Sequence, residues 1–256
     1  MADATSTVTP SVPPSDGAGN GDVPMVGSVD PSAGGVVKPG EKSTVELVVD
    51  DADFVTFLLF VFKADGTRDE NREARRFVFS VRGPNGESVS TEAPTQYGDC
   101  GATGFPGITG YGCSIKKPAA GIWEATVEAK QAPDEGMGFS VQTQFLGGVQ
   151  IVPDISKNDV ASGEPVELRA TILDPAPVTG ATVEAWITVN PDDARAYFYS
   201  AVSLVERGAG VYTGEFKPPS AGSYRISFRA KGQNSRGTDF IREAAAALNV
   251  QPPKPK

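Results

Sequence analysis

The residues of this chain that could do acid–base or metal chemistry are carboxylates, lysines and tyrosines, because its 256 residues include no histidine. Two groups of acids stand close together: Asp50, Asp51 and Asp53, then Asp65, Asp69 and Glu70. Calcium binds clusters of carboxylate oxygens on loops, but neither group has the spacing of an EF-hand. We therefore expect solvated loops and no cofactor, with calcium as the alternative.

The lack of histidine also removes most hydrolase mechanisms. A Ser-His-Asp triad and a Cys-His pair both need an imidazole. The sequence contains no Gly-x-Ser-x-Gly, phosphate-loop, dinucleotide-binding or zinc motif. A glycosidase needs two carboxylates across a cleft, and the sequence does not place two in that way. We predict that the chain is not an enzyme and has no catalytic or metal-binding residue.

The two cysteines, Cys100 and Cys113, flank a glycine-rich segment. We predict that a disulfide closes this loop, which in the chain-entropy model stabilises the fold by about 3 kcal/mol. A disulfide implies export to an oxidising compartment, and two free thiols in a cytosolic protein are the alternative. Tyr97, Phe105 and Tyr111 flank or lie in the same loop, and they are the candidate aromatics for stacking on a sugar.

A turn-plus-strand pattern that recurs after 101 residues indicates which elements carry these groups. Residues 118–130 and 219–231 each contain a proline, a glycine, an aromatic residue and then alternating apolar and polar residues. A strand has a period of two, so each copy builds one apolar and one polar face. The offset is close to the length of an immunoglobulin-sized sandwich. We therefore predict an all-β chain of two tandem antiparallel β-sandwich domains.

Composition and turn signals set the expected domain boundaries. Residues 1–37 lack aromatic side chains, and we predict a disordered linker or tail whose last residues could join the first sheet. Residues 38–149 form the first predicted sandwich and residues 150–251 the second, followed by a tail over residues 252–256. Residues 243–249 have helix propensity, but we predict a final strand over residues 240–250.

Three aromatic residues are predicted to be structural. Trp123 and Trp186 are assigned by alternation to apolar faces, so we expect core packing rather than a platform for carbohydrate. Tyr224 follows Gly222 by two residues at a strand start, as in a tyrosine corner, where the phenol satisfies a backbone group.

Basic residues of the second domain form another candidate surface. Arg225 and Arg229 lie on the polar face of the second repeat strand, and we place Arg242 with them. A partner carboxylate could dock there. We prefer a solvated face that is balanced by the acids of the same domain.

The turn and strand motifs resemble known exported domains. Residues 76–89 followed by residues 118–127 resemble the jelly-roll domains called pre-peptidase C-terminal domains. Residues 163–166, 177–183, 210–216 and 221–224 resemble bacterial immunoglobulin-like and macroglobulin-like modules. This resemblance implies a tandem of a jelly-roll-like and an immunoglobulin-like sandwich in an exported bacterial surface protein.

Charge and hydropathy narrow the expected partners. The net charge of −9 disfavours nucleic acid, and no apolar run is long enough to span a membrane. We expect an extracellular, cell-surface or periplasmic location, a protein or polysaccharide partner, and oligomers through open edge strands. The predicted function is a non-catalytic structural or binding module, acting as a spacer, in adhesion or as an accessory region. The alternative is a carbohydrate-binding accessory module of a secreted hydrolase.

Overall fold

The computed structural model describes residues 33–65, 67, 76–93, 95–105, 108–190 and 197–253. These residues form eighteen β-strands, and the described part of the chain contains no helix, hence none long and apolar enough to cross a membrane. The chain divides into two compact units, one made of residues 33–49 and 53–144, the other of residues 50–52 and 145–253. The predicted all-β sandwich fold is confirmed.

The structure describes only a few residues of the two predicted tails. Most of the predicted linker, residues 1–32, and the last three residues lie outside the described part of the chain. Residues 33–37 form a strand rather than the end of a disordered tail, because their backbone pairs with residues 137–141.

The first unit contains a five-stranded and a four-stranded sheet. In spatial order, the five-stranded sheet is formed by β1 (Ala33–Val37), β9 (Met137–Leu146), β3 (Phe54–Lys63), β7 (Ile108–Lys116) and β6 (Gly98–Phe105). The four-stranded sheet is formed by β2 (Lys42–Val49), β8 (Gly121–Gln131), β4 (Arg76–Arg82) and β5 (Ser88–Ser90).

Alternation along these strands builds the core of the first unit. Phe57 on β3 and Trp123 on β8 are both fully buried, with ring centroids 5.4 Å apart. Phe79 on β4 and Val127 on β8 are also buried. Glu124 and Thr126, which alternate with the buried residues of β8, face outward. Burial of one side of each strand is the arrangement that a period of two requires.

The described residues of the second unit form nine strands, of which eight lie along one continuous path of pairing. These are β10 (Gln150–Ile155), β11 (Asp159–Ala161), β12 (Val166–Asp174), β13 (Ala176–Pro177), β14 (Thr182–Val189), β15 (Tyr197–Gly208), β16 (Val211–Phe216), β17 (Gly222–Gln233) and β18 (Asp239–Gln251). The spatial order is β10-β12-β16-β15-β14-β17-β18-β11, with β13 paired to β12.

Strand β15 links the two layers of this second unit. Its first part pairs with β14, and its last residues pair with β16. A register shift in the β14–β15 pair marks a β-bulge close to Tyr199. The pair β11–β18 is parallel, and the other strand pairs described for this unit are antiparallel. A single cluster of buried apolar side chains fills the interior of the unit.

The segment between the cysteines differs from the predicted loop. It forms β6 and β7, which pair residue by residue with each other, and β7 also pairs with β3. Pairing with β3 stabilises a glycine-rich segment as strand despite its low intrinsic propensity. The region is therefore a hairpin within the sheet.

Candidate functional site

The predicted disulfide between Cys100 and Cys113 is present. The two residues lie directly opposite each other in the β6–β7 register, and Cys113 is fully buried. The bond therefore joins two paired strands of one hairpin and faces the interior of the first unit.

Of the three candidate sugar-stacking aromatics of this region, the structure describes the side chains of Tyr97 and Tyr111. Tyr97 lies in the turn before β6 and is 44% exposed. Tyr111 is half-buried on β7 opposite Ala102. No ring contact joins Tyr97 to Tyr111 among the described residues, and the side chain of Phe105 lies outside what the structure describes.

Two of the predicted structural aromatics are buried and hydrogen-bonded. The indole N–H of Trp123 donates to the carbonyl oxygen of Ala119 at 2.8 Å. The phenol of Tyr224 donates to the carbonyl oxygen of Ser220 at 2.8 Å, which is the contact of a tyrosine corner. Each ring thereby anchors the turn that precedes its own strand.

Trp186 requires a correction, because it does not pack in the core. Val183, Ala185, Ile187 and Val189 of β14 are buried, so Trp186 belongs to the opposite, outward row of the strand. Its indole N–H donates to Glu184 Oε2 at 3.2 Å, also on that outward row. Alternation therefore carries this indole to the outer surface of the sheet.

Trp186 stands at the centre of a surface that we call the aromatic–arginine face: Trp186, Phe198, Arg225 and Arg229. The indole lies 5.6 Å from the ring of Phe198, between ring centroids, and the Arg229 guanidinium carbon lies 5.9 Å from the indole centroid. Phe198 is 56% exposed. The residues directly opposite Trp186 on the neighbouring strands are small, Ala201 and Ser227.

Arg242 also requires a correction, since it does not lie with Arg225 and Arg229. Its side chain is fully buried, on the inward row of β18 with Phe240 and Leu248. The guanidinium forms an ion pair with Asp50, which is also fully buried. Its Nε donates to the Val149 carbonyl oxygen at 3.0 Å.

The rest of this buried cluster satisfies both charged groups. The guanidinium carbon of Arg242 lies 3.4 Å from the centroid of the Phe145 ring. The Val149 N–H donates to Asp50 Oδ2 at 3.1 Å. Gly148 has a φ of +69°, and a Cβ there would lie 2.9 Å from Asp50 Oδ2, so glycine is required for this close approach. The arrangement neutralises charge inside the second unit.

Neighbouring acids hold the turn between β17 and β18. Asp51 accepts a hydrogen bond from Asn234 Nδ2 at 2.6 Å and forms an ion pair with Arg236. Asp174, which is buried, accepts the Ser235 hydroxyl at 2.8 Å. Asn234 Oδ1 in turn accepts the N–H groups of Arg236 and Thr238. Asp51 and Asp174 therefore stabilise the turn between β17 and β18.

The other acids that are candidate calcium ligands either lie apart from one another or lie outside the described residues. Asp53 is exposed. The pKa of the Asp65 carboxyl lies below its ordinary value because the Thr67 hydroxyl and backbone N–H donate to it. Asp69 and Glu70 lie outside the described residues. Within the described ranges, no group of three or more Cys, Asp or Glu side chains is arranged to hold a metal ion.

Comparison with known proteins extends the picture at the level of fold. No family model matches the chain, and no curated protein matches it. A DUF4785 family protein from Legionella pneumophila has a similar structure, with a TM-score of 0.51 and 9% identity over 94% of this chain and 69% of that chain. At this identity, the likeness shows a shared fold.

Two further solved structures show weaker likeness. The propeptide form of the lipase BlEst2 from Bacillus licheniformis matches with a TM-score of 0.49 and 12% identity over 91% of this chain, which spans 44% of the lipase chain. The Escherichia coli adhesin FdeC matches with a TM-score of 0.28 and 19% identity over 86% of this chain and 64% of that chain.

Proposed function

We propose that the chain is a non-catalytic structural or binding module of an exported protein. The Cys100–Cys113 disulfide is the observation that carries this proposal. Disulfides persist in oxidising compartments and are rare in the cytosol. The expected location is therefore the extracellular space, the cell surface or the periplasm.

The contacts of the buried acids support a non-catalytic role. A carboxylate that acts as general acid or base must be within reach of a substrate proton. Asp50 is instead enclosed with Arg242, and Asp174 bonds to Ser235 in a turn. The lack of histidine in the sequence supports the same conclusion.

We further propose that the second unit is an immunoglobulin-like sandwich and the first a jelly-roll-like domain of the pre-peptidase C-terminal type. The parallel β11–β18 pair and the Tyr224–Ser220 hydrogen bond support the immunoglobulin-like assignment of the second unit. The facing sheets of five and four strands support the jelly-roll-like assignment of the first unit. Tandem modules of these types suit spacer, adhesion or accessory roles in a bacterial surface protein.

A second candidate function is a carbohydrate-binding accessory module. The observation that favours it is the aromatic–arginine face, where the Trp186 and Phe198 rings lie together on the outside of the sandwich. Tyr97, Phe105 and Tyr111, the aromatics singled out from the sequence, supply a second location for the same chemistry. Substituting each of these three by alanine should leave sugar retention unchanged if the aromatic–arginine face is the site.

The proposal is tested on protein recovered from its natural host without added reductant. Maleimide-polyethylene glycol should fail to shift the protein on a denaturing gel until a reductant is added, because both thiols are in the disulfide. A shift before reduction, together with recovery from the cytosolic fraction, would contradict export. Turnover above a denatured control in a broad hydrolase screen would contradict the non-catalytic role.

A further inference from the structure

We propose that the aromatic–arginine face binds an acidic polysaccharide whose sugar rings carry carboxylates. This inference deepens the proposed binding role, and it identifies the surface and the chemical class of the ligand.

Trp186 and Phe198 supply the apolar contact. Both side chains project from the outer side of the β14–β15 pair, and their ring centroids are 5.6 Å apart with planes inclined at 54°. Tyr197 and Tyr199, on either side of Phe198 in the chain, do not add to this face: Tyr197 lies opposite the buried Val189, and the Tyr199 ring contacts the buried Phe216. Exposed aromatic rings of this kind offer an apolar surface to the C–H face of a pyranose, at little cost in conformational entropy.

The side chains that flank the Trp186 indole on the neighbouring strands are small. Ala201 and Ser227 lie directly opposite Trp186, and Ala245 lies opposite Ser227 on the next strand. A row of such small side chains leaves space for an extended chain to lie across β15, β14, β17 and β18. A protein partner would more often seat its anchoring side chains in pockets, whereas here two aromatic rings project beside small side chains.

Arg225 and Arg229 supply the charge. Their positions on β17 are diagonal to Trp186, one on each side of Ser227. Neither guanidinium forms an ion pair with a carboxylate of the described residues. A guanidinium presents a planar fork of donors that matches a carboxylate, so the two arginines favour a uronate.

The charge of the surface differs from that of the whole chain. Arg225, Arg229 and Lys231 project outward from β17, and the two acids beside them, Glu184 on β14 and Glu243 on β18, both lie directly opposite Arg229. The surface is therefore slightly basic in a chain whose net charge is −9. The negative charge belongs to residues 1–150, since residues 151–256 contain 12 basic and 12 acidic residues, so an anionic polymer would be repelled less by the part of the chain that carries this face.

The test is native affinity electrophoresis of the whole chain in gels that contain polygalacturonate. Dextran, which is neutral, and poly-L-glutamate, which has carboxylates but no sugar ring, serve as comparison polymers. Polygalacturonate should retard the wild-type protein, and the two comparison polymers should not. Trp186→Ala and the Arg225→Ala, Arg229→Ala pair should each weaken retention on the order of tenfold.

Two control variants test whether a loss of binding is specific to the aromatic–arginine face. Trp186→Phe retains an aromatic ring and should retain most of the binding, and Ile122→Ala removes an exposed apolar side chain of the first unit and should change nothing. Circular dichroism of each variant checks that it is folded. The proposal is overturned if polygalacturonate fails to retard the wild-type protein, if dextran or poly-L-glutamate retards it equally, or if Trp186→Ala binds as the wild type does. None of these outcomes bears on the disulfide test of export.

Discussion

Asp50 and Arg242, which are 192 positions apart in the sequence, form an ion pair in which neither side chain is accessible to solvent. The backbone of Val149 contributes to both partners, donating to the carboxylate and accepting from the guanidinium. Two fully buried charges are tolerated because each is paired and hydrogen-bonded. The pair thus makes the stability of the second unit depend on a residue far from its own strands in sequence.

Removal of one partner should therefore be costly. We expect Asp50→Asn to lower the free energy of unfolding of the second unit by about 3–5 kcal/mol, because Arg242 is left buried without a counter-charge. Urea denaturation followed by the fluorescence of Trp186 measures this change. Lys217→Ala, which removes an exposed ion pair with Glu215 in the same unit, is the matched control and should cost less than about 1 kcal/mol. Equal losses in the two variants would contradict the prediction.

The two tryptophans should respond differently to truncation. Trp123→Ala empties a fully buried site and removes a hydrogen bond, so we expect a loss of about 3–5 kcal/mol in the free energy of unfolding. Trp186→Ala removes an outward side chain, so the expected loss is below about 1 kcal/mol. Urea denaturation followed by circular dichroism measures both.

Fluorescence gives an independent check on the same assignment. In the single-tryptophan variants Trp123→Phe and Trp186→Phe, acrylamide should quench the remaining Trp186 strongly and the remaining Trp123 weakly. Similar quenching of the two indoles would be inconsistent with one buried and one outward tryptophan.

Loss of the disulfide should destabilise the first unit. The chain-entropy model gives about 3 kcal/mol for a loop of this size, and the β6–β7 pairing remains possible without the bond. We expect the Cys100→Ser, Cys113→Ser double variant to fold with a lower urea midpoint. Adding a reductant to the wild-type protein should lower its midpoint by a similar amount and should leave the double variant unchanged. A wild-type midpoint that is insensitive to reductant would count against this expectation.

Tyr212 should make stability fall at alkaline pH. Its phenol is buried, donates to the Val178 carbonyl oxygen at 3.1 Å and accepts the Ala181 N–H at 3.0 Å. Burial raises the pKa of this phenol above its ordinary value of 10.0. A raised folded-state pKa means that the folded protein holds the proton more tightly than the unfolded chain does. The stabilisation is therefore complete below about pH 10 and is lost as the pH rises further.

The measurement is the free energy of unfolding of wild type and Tyr212→Phe from pH 8 to pH 11. The variant should be less stable than the wild type at pH 8, because the Ala181 N–H loses its acceptor, by about 1–3 kcal/mol. Its stability should then decline less steeply above pH 10. Parallel declines in the two proteins would show that Tyr212 does not contribute to the alkaline loss.

Much of the fold was predictable because local patterns and final burial agree. The final strand is the clearest case: residues 243–249 have helix propensity, yet residues 240–250 alternate in burial as β18 and pair with β17. Tertiary pairing outweighed the weak local preference of an alanine-rich segment. The cysteine pair was likewise predictable, but the strands between the cysteines were not, because pairing with β3 is a long-range contact.

The candidate surface was only partly predictable, although the signal for it was present. Trp186 is two residues from both Glu184 and Thr188, so strict alternation places it in their polar row. The same rule applied from Phe240 places Arg242 in the apolar row. The prediction for Trp186 applied alternation one residue out of phase, and the prediction for Arg242 grouped it with the outward arginines of β17; in both cases the period of the strand, counted from the buried neighbours, gives the observed side. The partner of Arg242 depends on a distant contact that no local pattern encodes.

The residues of the second sandwich do not form one continuous stretch of the sequence. A gene fragment that starts at residue 145 encodes all the strands of this unit, β10 to β18, but omits residues 50–52, which belong to the same unit. Such a fragment carries an interior guanidinium without the acid that neutralises it. Recombination that shuffles this module into a new host gene must therefore transfer two separate stretches of coding sequence or replace Arg242 with an uncharged side chain.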